Sequence, residues 1–172
     1  RYRQLTAEMS DLSVRFSQNL TNDMKNPSRR LWLNATEVQG MPQTAIDAAR
    51  EEAKATLEAE GKADDGSYLF TVFAPSYSPF MKYMPNRELR RKMYMLYNTR
   101  NVGGAFDNTQ ILKDMANIRL ELANMFGKAN YAEYALERRM SKNPQNVYNM
   151  LDQMREAYYP AMQAELAEIE AY

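Results

Sequence analysis

Apolar residues recur at steps of three and four through most of the 172 residues, and that spacing leaves little room for anything but amphipathic helices. Leu5, Met9, Leu12, Phe16, Leu20 and Met24 make the first series, which opens at Tyr2 and stops at Asn26-Pro27. A second covers residues 43–60, with Ile46, Ala49, Ala53 and Leu57 on one stripe and Gly61 where a helix ends. Residues 87–100 form a third, with Asn86 as N-cap, Leu89, Met93, Leu96 and Tyr97 on one face and Gly103-Gly104 beyond it. Asp107-Asn108 supply the cap for Ile111, Leu112, Met115, Ile118, Leu122 and Met125, a series ended by Gly127. Asn130 or a neighbour caps a short helix carrying Tyr131, Tyr134, Ala135 and Leu136. Asn143-Pro144 opens the last helix, with Val147, Leu151, Met154, Tyr158, Met162, Leu166 and Ile169. Pro160 inside it removes a donor and predicts a kink or a split.

Between the helices lie two short extended segments. Residues 68–73 are β-branched and aromatic, bounded by Asp65-Gly66 and Ala74-Pro75, and read as one strand. Leu31-Trp32-Leu33 reads as a strand or the start of a buried turn, and a lone strand needs such a partner. Asn34 and Glu37 have capping-box spacing, predicting a short helix up to Gly40. Pro75, Pro79 and Pro85 mark a connection that cannot extend the sheet. The fold class is therefore mostly α, in about seven helices, with one or two short strands.

Composition excludes several functions. Lys plus Arg (22) balances Asp plus Glu (22), so no net positive charge favours nucleic acid. No apolar run approaches the ~20 residues that span a bilayer. Histidine and cysteine are both absent, so no zinc-finger spacing, cysteine nucleophile or serine–histidine pair can be built. Glu51, Glu52, Lys54 and Glu58 read as a solvated helix face rather than a metal-binding one, because adjacent acids diverge on a helix. The basic turn of Arg87, Arg90, Arg91 and Lys92 could anchor a peptide carboxylate, but charge runs of this kind are commonly only surface. Arg100 sits at a helix C-terminus, where a cation is favoured anyway. Tyr68, Tyr77, Tyr83, Tyr94 and Tyr97 could line a peptide channel or simply pack at helical spacing. Gly103-Gly104 is too short to cradle a phosphate. Thirteen methionines point to an adaptable interior or to apolar surface awaiting another segment.

One stretch carries a resemblance. Pro75-Ser76-Tyr77, Tyr83, the run from Asn86 to Arg90, Tyr94 to Tyr97, Thr99-Arg100 and Asp107-Asn108 follow one another as in the thimet oligopeptidase family of zinc metallopeptidases. The chain is most similar to its peptidyl-dipeptidase and oligopeptidase A branches. Ile118-Arg119, Glu121, Ala123, Phe126-Gly127, Asn130-Tyr131, Tyr134, Met140 and Pro144-x-x-Val147 continue the match. Ser141 and Lys128 depart from the family pattern, at positions without a chemical role.

The resemblance implies a zincin-type oligopeptidase whose zinc is held by H-E-x-x-H and a downstream Glu. With no histidine here, no catalytic or metal-binding residue can be carried onto this chain, and its substrate-binding residues are not defined. Residues 1–172 are expected to be a single helical segment, truncated at both ends, forming a wall of the substrate channel. The zinc, the short peptide substrates and the catalytic C-terminal portion would then belong to a longer, full-length parent, cytoplasmic or periplasmic, that releases dipeptides from C-termini or cuts oligopeptides internally. The fragment alone would bind no zinc and be inactive. The alternative is a helical binding or scaffold module derived from the same family, without catalysis.

Overall fold

The computed structural model describes residues 1–172. Seven helices and one two-stranded sheet follow in the order α1 (Tyr2–Lys25), β1 (Leu31–Leu33), α2 (Gln43–Ala59), β2 (Tyr68–Phe70), α3 (Ala74–Tyr83), α4 (Arg87–Asn98), α5 (Thr109–Met125), α6 (Tyr131–Leu136) and α7 (Pro144–Ala171). The mostly α class with two short strands is the observed one. The chain divides into two compact units, Arg1–Met9 with Lys113–Tyr172, and Ser10–Leu112.

The larger unit is built on β1 and β2, which pair antiparallel with Leu31 opposite Phe70, Trp32 opposite Leu69 and Leu33 opposite Tyr68. Strand alternation sends Leu33 and Phe70 to one face. There they join Val38, Met41, Ala49, Val72, Phe80, Met84, Leu89 and Met93 in one buried cluster. The strand predicted over 68–73 ends three residues early. The Thr71 N–H, which would continue the ladder, donates instead to Ser76 Oγ at 2.9 Å.

Residues 74–83, expected as a proline-marked connection, form helix α3. Pro75 falls in its first turn, where no donor is needed. Pro79 sits inside and forfeits one bond. Packing outweighs that loss: Phe80 is fully buried, with its ring 4.8 Å from that of Phe70.

The capping box at Asn34 forms without its helix. Asn34 Oδ1 accepts the Glu37 N–H at 3.0 Å and Glu37 Oε2 accepts the Asn34 N–H at 2.9 Å, yet residues 35–40 are turns. Gly40 at φ +87° and the donorless Pro42 leave too few residues to propagate a helix. Of the kink or split expected at Pro160, the split is absent, since α7 is continuous from Pro144 to Ala171.

In the smaller unit Arg1 pairs with Glu121, Nε to Oε1 at 2.6 Å. The Phe126 ring stacks on Tyr134 at 5.1 Å and meets Tyr2 edge-on at 5.8 Å. Helix α7 is half-buried at Pro144 and Val147 and exposed from Tyr148 to its end.

Candidate functional site

The most structured polar region lies where α4 ends. Its last carbonyls need partners, and Arg29 supplies them. Arg29 Nη1 donates to Leu96 O at 3.2 Å and to Thr99 Oγ1 at 2.9 Å, and Nη2 donates to Thr99 O at 2.8 Å. The same guanidinium pairs with the buried Asp23, Nη2 to Oδ2 at 3.0 Å. Asp23 also accepts the main-chain N–H of Asn101 at 2.8 Å. Asn101 takes a left-handed backbone, φ +57°, which turns the chain into the loop, and its side chain donates to Phe106 O at 2.8 Å. Asp107 closes the loop by accepting from Gly103 N at 2.8 Å and Thr109 N at 2.6 Å. Asn108, expected as part of the helix cap, is turned inward. It donates to Phe16 O at 3.1 Å and accepts from Asn19 Nδ2 at 2.9 Å.

Beside this loop is a recess of about 270 Å³, walled by Phe16, Leu20, Val102 and Leu112 and by polar residues that include Tyr97, Asn98 and Arg100. The Arg100 guanidinium lies over the Tyr97 ring at 3.5 Å, a cation–π contact. Tyr97 stacks in turn on Tyr77, centroids 4.0 Å apart at 21°, and burial pushes the Tyr77 phenol up. Arg100 Nε donates to Tyr97 O at 2.7 Å and Nη1 to Met24 Sδ at 3.7 Å.

The other residues singled out from sequence fare differently. Arg90 donates from Nη1 to Met84 O at 2.5 Å and to Pro85 O at 2.8 Å, locking the α3–α4 connection. Arg87, Arg91 and Lys92 remain on the exposed surface. The basic turn is thus not gathered into one anion site. Tyr68, Tyr77 and Tyr97 pack against the core, whereas Tyr83 and Tyr94 stay exposed. Glu51, Glu52, Lys54 and Glu58 are solvated, with Lys54 paired to Glu51 at 3.1 Å. A second groove, about 290 Å³, runs between α2 and α3 over Leu69–Thr71, with Ala45, Ala48, Ala49, Phe73 and Pro75 on its walls.

The donor set does not suit zinc. The chain contains no histidine or cysteine, and no group of three or more Asp or Glu side chains converges. Nor does the recess hold a nucleophile beside a base. What the arrangement offers is recognition through one cation, aromatic faces, side-chain amides and apolar walls.

The scaffold that carries this loop is mostly α with a single small sheet. The model of peptidase family M3 matches residues 80–172. Oligopeptidase A of Haemophilus influenzae is 36% identical over 177 residues, covering 100% of this chain and 25% of the relative. Oligopeptidase A of Escherichia coli is 34% identical with the same coverage. A probable cytosolic oligopeptidase A of Arabidopsis thaliana is 32% identical across 94% of the chain and 23% of the relative. The chain belongs to peptidase family M3, the thimet oligopeptidase family, and spans about a quarter of the length of these curated relatives. The recess beside Arg100 was not legible from sequence. The one signal pointing to it is the adjacency of Thr99-Arg100-Asn101 and Asp107-Asn108 on either side of a glycine loop.

Proposed function

We propose that this chain is the non-catalytic, channel-wall part of a zinc-dependent oligopeptidase that hydrolyses short peptides and releases dipeptides from their C-termini. The supporting observation is the end-to-end similarity to oligopeptidase A, 34–36% identical over the whole chain, in a segment whose own residues cannot hold the metal of a zinc metallopeptidase family. On this reading the zinc ligands and the general base reside in a longer parent polypeptide, cytoplasmic like the Arabidopsis relative's name. The helices described here hold, orient and screen the peptide.

The test is the parent. Its coding sequence should contain H-E-x-x-H. The purified full-length protein should cleave unstructured peptides of roughly ten residues and lose that activity to a chelator. A parent without the motif, or with turnover indifferent to chelation, would refute the assignment.

A further inference from the structure

The feature least explained by packing is Arg100. It is half-buried, and no carboxylate lies within 4 Å of its nitrogens. Of the two carboxylates that organise its loop, Asp23 pairs with Arg29 and accepts the Asn101 N–H, and Asp107 accepts the N–H groups of Gly103 and Thr109. A guanidinium carries five N–H donors. Here one goes to Tyr97 O and one to a thioether. Its plane is fixed against Tyr97 and, through that ring, against Tyr77. A cation held in a set orientation, partly out of water and with no carboxylate within 4 Å, is an anion site in waiting.

We propose, building on the peptide-handling reading above, that the recess beside Arg100 takes the free C-terminal carboxylate of a short peptide. Three properties select that occupant. The planar fork of one arginine matches one singly charged carboxylate. Phe16, Leu20, Val102 and Leu112 stand on the same walls as Arg100, and a C-terminal residue carries its side chain on the carbon next to its carboxylate. An aliphatic last residue therefore satisfies both at once. The volume, about 270 Å³, falls below the roughly 300–1,000 Å³ of pockets that enclose a whole drug-sized ligand, so the recess receives the end of a chain.

Titrate the isotopically labelled 172-residue chain with three probes and follow its main-chain amide resonances: N-acetyl-Ala-Leu with a free carboxylate, the same peptide as its C-terminal amide, and N-acetyl-Glu-Leu-amide. The free acid should shift resonances of residues 97–109. The amide should bind at least tenfold more weakly, and the internal glutamate should not restore binding. Arg100→Gln should abolish the response, with Arg100→Lys retaining part of it. The ligand arms on the unaltered chain decide the matter even if a variant unfolds. Equal binding of acid and amide, shifts centred elsewhere, no binding by any probe, or equal binding of the internal glutamate peptide would each overturn the proposal. The last would assign the site to a side-chain carboxylate from another segment. Because no turnover is read, this result is independent of whether the parent proves to be a peptidase.

Discussion

Asp23 and Asn101, 78 positions apart, are joined by a 2.8 Å hydrogen bond from the Asn101 main chain to the Asp23 carboxylate. Through Arg29 the same carboxylate is tied to the end of α4. One buried acid thus fixes the helix end, the left-handed turn at Asn101 and the loop beside the recess. Asp23→Ala would leave the Arg29 guanidinium, itself only 14% exposed, unpaired. Breaking such a pair costs about 3–5 kcal/mol. The variant should unfold at markedly lower urea, with the resonances of the 99–108 loop moving before the global transition. An unchanged midpoint would show that the network is incidental.

Gly40 makes a separate steric demand. At φ +87° an added Cβ would stand 2.6 Å from Pro85 Cγ. Gly40→Ala should cost about 2 kcal/mol or more, from backbone strain and overpacking together. Gly61→Ala, also at positive φ but with open space around it, should cost only the backbone part, about 1 kcal/mol. Equal losses in thermal unfolding would rule out the clash with Pro85.

Acid should weaken the fold through surface carboxylates. Arg50 and the Gly66 N–H hold Asp64 below its ordinary value, and Lys62 with Arg30 lower Glu60. Groups depressed in the folded state contribute stability fully above the ordinary carboxyl range, near pH 4, and lose it as pH falls through the folded values. Urea midpoints should therefore be flat from about pH 7 to 5 and fall below about pH 4, less steeply in Asp64→Asn. A midpoint that rises on acidification would contradict this.

Helix α7 presents Tyr148, Leu151, Met154, Tyr158, Met162, Leu166 and Ile169 at helical spacing, each 44–71% exposed. Stripes of this extent seek cover. The isolated chain should self-associate at high concentration, and Leu151→Glu with Leu166→Glu should return it to monomer in sedimentation velocity. Strictly monomeric behaviour of the unaltered chain would count against the stripe as an adhesive surface.

Helices with regular spacing and a good cap were legible in the sequence. The side chains of Asn86, Asn130 and Asn143 each accept the early-turn N–H expected of them, and the Leu31–Leu33 segment pairs with β2 as a lone strand required. Helix α3 was hidden because its prolines speak against it locally, while Phe80 against Phe70 speaks for it only once the fold exists. The short helix at Asn34 failed for the opposite reason, a correct local signal with no room to propagate. Asp23, Arg29 and Asn101 carry no local pattern at all. Their meeting depends on contacts across some 70 residues, and the recess beside Arg100 inherits that illegibility.

We place the chemistry proposed for the parent polypeptide outside these 172 residues. Zinc-assisted hydrolysis needs a firmly held metal with an open position and a base beside its water, and scattered carboxylates provide neither. The direct test is peptide turnover by the purified chain alone, with added zinc and with chelator. No hydrolysis above background is expected in either condition. Turnover by the chain itself that zinc sustains and chelator removes, beyond what a contaminating peptidase explains, would contradict it.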